Sequence, residues 1–117
     1  MISEFTVEAL FTTTFDILAK DVNDIAKSKG WWKGERNDGE LIALMHSELS
    51  ECLEALRHDN PPSDHIPEFS GVEEELADVI IRIMDFSLAK KHRVADAVVA
   101  KIAFNRTREV MHGGKKF

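Results

Sequence analysis

The stretch GVEEELADVIIRIMDFSLAK, residues 71–90, decides the fold class of this chain. Its apolar residues recur at steps of three and four, which places them on one face of an α-helix. That inner face consists of Val72, Leu76, Val79, Ile83 and Phe86. A second apolar strip on another side of the helix consists of Ile81, Met84 and Leu88. Because one core needs only one strip, the second strip predicts an oligomer interface.

The same periodicity predicts three more helices, and no window shows the period-2 alternation of a strand. The predicted ranges are 5–29, 38–58, 71–90 and 95–111. All three prolines fall in the loop HDNPPSDHIPEFSG, residues 58–71, where they interrupt helix-favouring sequence. Two predicted helix starts have the spacing of a capping box: Asn37 with Glu40, and Ser70 with Glu73. The sequence therefore predicts an all-α, four-helix bundle forming a single domain over residues 1–117.

Composition limits the classes of partner and the compartment. A length of 117 residues suits one domain, and the formal charge of -6 argues against binding to nucleic acid or to anionic lipid. The single cysteine, Cys52, excludes an internal disulfide framework. No apolar run reaches the roughly 20 residues of a membrane span, and the first ten residues lack the features of a signal peptide. We expect a cytoplasmic protein with no membrane partner.

Two pairs of acids, Glu48 with Glu51 and Glu75 with Asp78, lie within or beside the apolar faces of the second and third helices. An ionised carboxylate on a buried face is costly unless it is paired or binds a metal. Hard divalent cations such as magnesium prefer oxygen ligands. The four acids therefore predict a shared metal site, while the alternative is that both pairs are solvated surface acids.

The two adjacent tryptophans, Trp31 and Trp32, are candidates for stacking on a nucleobase, since an aromatic face stacks on any base. Either ring could instead be core between the first two helices. We expect one of each kind, and the sequence does not distinguish them.

Three segments together have a familiar pattern: Gly30-Trp31-Trp32, LIALMHSELSECLEALR over residues 41–57, and EEELADVIIRIMD over residues 73–85. The chain resembles the MazG-like all-α nucleoside triphosphate pyrophosphohydrolases, a superfamily that includes dCTP pyrophosphatases and dimeric dUTPases. The pattern of that superfamily is ExxE, a spacer and ExxD. The resemblance implies that Glu48, Glu51, Glu75 and Asp78 hold magnesium, for which manganese can substitute.

The resemblance also implies an activity: hydrolysis of (deoxy)nucleoside triphosphates to the monophosphate and pyrophosphate, as nucleotide-pool housecleaning. Glu48 or Glu51 would then activate the attacking water. A Lys-x-x-x-Asn element of the family is matched by Lys101 and Asn105, which would bind phosphate together with Lys115. Arg82 either contacts phosphate or pairs with the acids. The family fold further implies a homodimer or homotetramer.

Two rival functions remain open at this point. A carboxylate di-iron oxidoreductase bundle needs two Glu-x-x-His elements, and only Glu109 with His112 has this spacing. A non-catalytic helical interaction module would leave the acids solvated and use its wide apolar strip as a groove for a partner.

Overall fold

Four helices and no strand make up the part of the chain that the computed structural model describes, residues 4–108, with side chains described from residue 6. The helices are α1 (Glu4–Ser28), α2 (Asp38–Arg57), α3 (Gly71–Ala89) and α4 (Val94–Asn105). The predicted all-α fold class is confirmed. No helix in this range is both long and apolar enough to cross a bilayer.

Three of the four predicted helices end within one residue of their predicted bounds, but α4 is shorter than predicted. It ends at Asn105, and residues 106–108 form a turn instead of continuing the helix. There the Thr107 and Arg108 backbone amides bond to carbonyls three residues back, and the Thr107 hydroxyl donates to the Phe104 carbonyl at 2.7 Å. These bonds tighten the last turn and compete with the α-helical pattern.

Helix α3 is the central element, because it packs against α2 on one side and against α1 on another. Against α1 and α4, Met84 and Leu88 cover a small core formed by Phe15, Ala19 and Ala95. Two of the three residues in the second apolar strip of α3 therefore pack inside the chain, and only Ile81 stays exposed. The strip exists because α3 has two helical neighbours, so it is not evidence for an oligomer interface.

The amino-terminal end of α3 is held by the loop that precedes it. The reciprocal capping box of Ser70 and Glu73 is present, as predicted, whereas Asn37 caps α2 without the return bond from Glu40. The Asn60 side chain accepts from the Val72 amide at 2.9 Å, and the Gly71 amide bonds to the Pro61 carbonyl at 2.8 Å. The first four backbone amides of an α-helix have no partner within the helix. In α3 all four are bonded to the preceding loop or to the capping box, which fixes where the helix begins.

A buried hydrogen-bond network joins α1 and the following turn to α3 through Asp85. Asn23, which is 1% exposed, donates to Asp85 Oδ1 at 2.8 Å, and the Trp32 indole nitrogen donates to both carboxylate oxygens at 3.0 Å. Before that turn, Gly30 adopts φ 87° at the end of α1. The Gly30 and Trp31 amides bond to Lys27 and Ala26 carbonyls as in a Schellman motif. This motif turns the chain so that Trp32 reaches Asp85.

Replacing Asp85 with alanine leaves the Asn23 amide and the Trp32 indole without their acceptor. We expect Asp85→Ala to lower the free energy of unfolding by about 1–3 kcal/mol, the cost of unpaired buried donors. Urea denaturation at one fixed protein concentration measures the change, with exposed Asp21→Ala as the control. Equal midpoints for the two variants would show that the network does not stabilise the fold.

Candidate metal centre and adjoining cavity

Three of the four predicted acids come together between α2 and α3. One carboxylate oxygen from each of Glu48, Glu51 and Glu75 lies within 4.8 Å of the others. Glu48 is buried, Glu75 is half-buried and Glu51 is exposed at the rim. The acids predicted from two separate sequence motifs therefore form one cluster.

The packing of α2 on α3 explains why these acids meet. The buried positions of α2 are Leu41, Glu48 and Cys52, which are spaced seven and four residues apart and so share one helical face. At the far end of this contact, a Cβ on Gly71 would lie 3.1 Å from the Ala55 Cβ. The absence of a side chain at Gly71 lets the start of α3 approach α2 closely enough to bring Glu75 beside Glu48.

The cluster changes the protonation of its members. Burial, followed by hydrogen bonding with Glu48 and Glu51 and their repulsion, raises the pKa of Glu75 to about 8. Burial acts in the same direction on Glu48, but hydrogen bonds from Glu75 and Arg82 outweigh it and lower the pKa of Glu48. In the metal-free chain at neutral pH, Glu75 is therefore mainly protonated and Glu48 is ionised.

Arg82 is the positive partner of the cluster. Its Nη2 and Nε atoms lie 2.9 Å and 3.0 Å from Glu48 Oε1. Of the two predicted functions of Arg82, the structure shows the pairing with an acid. Both bonds go to one oxygen of Glu48, so the other oxygen remains available to a second partner.

Asp78 lies beside the three-acid cluster and is not part of it. Its oxygens do not come within 4.8 Å of all three other acids, and it lines the adjoining cavity together with Glu48. Burial, followed by the negative charges of Glu48 and Glu74, raises the pKa of Asp78. The structure thus brings together three of the four predicted acids and leaves Asp78 at the adjoining cavity.

A cavity of about 440 Å³ opens next to the acids, between α1, α2, α3 and the turn after α1. Its apolar walls are formed by Val22, Ile25, Ala26, Trp31 and Ile81. Its charged side chains are Lys29, Arg36, Glu48, Asp78, Arg82 and Asp85. Six of the eleven lining residues are charged, so the cavity combines an apolar wall with groups that could bind a charged small molecule.

The structure distinguishes the two tryptophans. Trp32 is half-buried, with its indole nitrogen bound to Asp85. Trp31 is 50% exposed and lines the cavity, with the Arg36 and Arg82 guanidinium carbons 5.6 Å and 5.8 Å from its ring centroid. Trp32 is thus the structural ring, and Trp31 is the exposed ring, with two guanidinium groups near it.

The predicted phosphate-binding residues of the last helix are not brought to the acids within one chain. Lys101 and Asn105 are exposed on α4, and Lys101 lines a separate shallow groove with Val98 and Ile102. No described residue of α4 lines the cavity beside the acids. Lys115, like the Glu109 and His112 pair of the di-iron alternative, lies outside the described residues.

Sequence reasoning missed Asp85, Asn23, Lys29 and Arg36. Asp85 accepts hydrogen bonds from Asn23 and Trp32, two partners that lie more than fifty residues away in the sequence. A usable signal was present for Asn23, which stands four residues after the buried Ala19 on the inner face of α1. Lys29 and Arg36 flank a turn whose path depends on tertiary contacts, so helical periodicity could not place them.

A metal ion suits this donor set. Carboxylate oxygens from two helices are hard ligands of the kind that magnesium and calcium take. When the acids are ionised, as metal ligation requires, the buried Glu75 Oε2 has no hydrogen-bond partner among the described residues. A buried polar atom without a partner is rare, and an unplaced ion is one of its ordinary explanations.

No protein-family model matches this chain, and neither a curated protein nor a solved structure is significantly similar to it. The functional interpretation therefore rests on the acids and the cavity themselves.

The raised pKa of Glu75 predicts a pH dependence of stability. Between its ordinary value of 4.5 and about 8, the folded chain holds a proton that the unfolded chain has released, so rising pH favours unfolding. We expect the free energy of unfolding of the metal-free protein to fall over this range, and to fall less in Glu75→Gln. Chemical denaturation at several pH values in chelator measures both slopes.

Exposed Glu35→Gln is the control for that experiment and should keep the wild-type slope. The pKa values of Asp78 and His65 are also raised, Asp78 mainly by burial and His65 mainly by its hydrogen bond to Glu74. Asp78 and His65 therefore also make the free energy of unfolding fall as pH rises, and both residues are present in the two variants. A slope in Glu75→Gln as steep as in the wild type would contradict the assignment of the bound proton to Glu75.

Proposed function

We propose that this chain is a magnesium-dependent nucleoside triphosphate pyrophosphohydrolase of the MazG-like kind. The observation that supports this most directly is the meeting of Glu48, Glu51 and Glu75 at one point, with a buried Glu75 oxygen that has no partner. A four-helix chain with ExxE on α2 and ExxD on α3 is the arrangement that the sequence resemblance implies. The adjoining cavity gives the proposal a place for a nucleotide.

In this proposal Glu48, Glu51, Glu75 and Asp78 hold magnesium, with manganese as a substitute. The ion supplies charge neutralisation and positioning of the phosphate oxygens. Glu75 gives up its proton when it becomes a ligand, because a ligating carboxylate must be ionised. The coordinating oxygens come from two helices, so the ion would also strengthen the contact between α2 and α3.

The reaction needs a water molecule aligned with the α-phosphorus. Glu51, exposed at the rim of the cluster, is the carboxylate best placed to orient that water or accept its proton, while Glu48 is engaged by Arg82. Attack of the water forms a bond to the α-phosphorus and breaks its bond to the bridging oxygen, giving monophosphate and pyrophosphate. Trp31, which is half exposed and lines the cavity, is the ring that stacks on the base in this proposal.

We also propose that the chain works as a homodimer or homotetramer. Among the described residues, five apolar side chains are buried while nineteen large apolar side chains are exposed. Exposed apolar side chains lie along all four helices, among them Ile17, Leu18, Leu53 and Ile102. They include Leu76 of α3, so the prediction that Leu76 lies on an inner face is wrong within the single chain. A monomer rarely leaves so much apolar surface in water. A neighbouring subunit is also the route by which Lys101 and Asn105 of α4 could reach a phosphate.

The same exposed surface supports the second candidate, a non-catalytic helical module that binds another protein. The two candidates differ in what they require of the acids. The module needs no metal, while the enzyme does.

Pyrophosphate release from a panel of canonical and modified nucleoside triphosphates, with magnesium or with chelator, tests the proposal. We expect equal amounts of monophosphate and pyrophosphate, and only with magnesium. Glu48→Gln and Asp78→Asn should each lower turnover by at least about tenfold to hundredfold, a loss typical even of residues that support metal ligands indirectly. Glu54→Gln, on the exposed side of α2, is the matched control.

Helical content measured by circular dichroism should be the same in all these variants. Full turnover in Glu48→Gln would contradict the metal assignment. If no nucleotide is hydrolysed and magnesium does not raise the melting temperature, the interaction module becomes the better interpretation.

Substitution of Trp31 should affect nucleotide binding, whereas substitution of Trp32 should affect stability. Base stacking is worth about 1–3 kcal/mol, so Trp31→Ala should raise KM for nucleotides about tenfold or more with little change in melting temperature. Trp32→Phe removes the donor to Asp85 and should lower stability by about 1 kcal/mol while KM stays near wild type. Steady-state kinetics and thermal denaturation of both variants make the comparison, and the reverse pattern would overturn the assignment.

A further inference from the structure

The cavity beside the acids has cations that no acid neutralises. Lys29 at the end of α1 and Arg36 before α2 both line it, and neither side chain has a carboxylate partner among residues 6–108. Arg82, by contrast, is paired with Glu48. In a chain of net charge -6, two unpaired cations at one cavity call for an explanation.

Arg36 is held in place by contacts other than ion pairs. Its guanidinium carbon lies 5.0 Å from the Trp32 ring centroid and 5.6 Å from that of Trp31. Its backbone carbonyl accepts from Lys90 Nζ at 3.1 Å, which ties the segment before α2 to the end of α3. The side chain is thus oriented by aromatic faces that leave its N–H donors unused.

The distribution of charge favours an anion between the two walls of the cavity. Asp85 lines the same cavity, but it accepts hydrogen bonds from Asn23 and Trp32 and forms no ion pair with Lys29 or Arg36. The Arg82 guanidinium touches Glu48 and also lies 5.8 Å from the Trp31 ring centroid, so a single side chain spans from the acids to the wall that holds Arg36. A divalent cation on the four acids would offset two of their four negative charges, so the cation, Lys29 and Arg36 would all present positive charge to an anion in the cavity.

We propose that Lys29 and Arg36 form a polyphosphate subsite within the same chain, in the cavity that Glu48 and Asp78 also line. The inference deepens the proposed function and rests on it for the identity of the natural ligand. The ligand class is a linear polyphosphate, which reaches from the metal ligands to Lys29 and Arg36. Arg36 donates from a planar guanidinium suited to two phosphate oxygens, and Lys29 adds a point charge. The base then lies toward Trp31.

Inorganic tripolyphosphate is the probe, because it contains the phosphate chain without a base. Its binding is measured by titration calorimetry on the full chain at fixed free magnesium, and magnesium binding alone is measured separately. We expect Lys29→Gln and Arg36→Gln each to weaken tripolyphosphate binding about tenfold or more, the loss typical of one charge-assisted bond. Magnesium binding should remain as in the wild type.

Lys33→Gln is the matched control, since Lys33 is exposed in the same turn and does not line the cavity. Arg36→Lys keeps the charge and should recover part of the affinity, which guards against a packing defect in Arg36→Gln. Equal weakening in Lys33→Gln would mean a general charge effect and would overturn the inference. So would wild-type affinity in Lys29→Gln and Arg36→Gln, with the loss appearing in Lys101→Gln instead.

Failure of this inference differs from failure of the proposed function. Tripolyphosphate binding that depends on Lys29 and Arg36, with no nucleotide hydrolysed, supports the subsite and rejects the activity. Nucleotide hydrolysis that is unaffected by either substitution rejects the subsite and supports the activity.

Discussion

The packing of α2 against α3 around three carboxyl groups is the constraint on which the rest of this structure depends. Buried Glu48 could not remain ionised at the contact without a positive partner, and Arg82 of α3 supplies one with two bonds to a single oxygen. Glu75 meets the same constraint differently, by binding a proton. The cluster is therefore held together by one paired acid and one protonated acid.

The loop before α3 and the network at Asp85 position this contact from its two ends. The Asn60 side chain and the Ser70 capping box fix where α3 begins, and so fix the height of Glu75 relative to Glu48. Asp85 lies seven residues beyond Asp78. Its hydrogen bonds join α3 to α1 and to Trp32. Helix α3 thus carries Glu75 and Asp78 near its start, and further along it carries Asp85, which holds Trp32 and α1 in place.

The sequence predicted the helices well because their signals are local. Apolar spacing, the three prolines and the Ser70 cap specify the order and most ends of the helices without reference to tertiary contacts. It also predicted that Glu48, Glu51, Glu75 and Asp78 would meet, since acids on apolar faces need partners. The first three do meet, and Asp78 lies beside them at the cavity. It did not identify the neighbours of α3, and so the packing of Met84 and Leu88 against α1 and α4 was taken for an interface.

What the sequence could not supply is the path of the turn between α1 and α2. That path is set by the left-handed Gly30, by the indole of Trp32 on Asp85 and by Lys90 on the Arg36 carbonyl, contacts that join positions more than fifty residues apart. The same path separates the two tryptophans into a buried anchor and an exposed ring. The turn also brings Lys29 and Arg36 to the cavity that Glu48 and Asp78 line. The charge in the cavity therefore depends on the geometry of this turn as much as on the acid motifs.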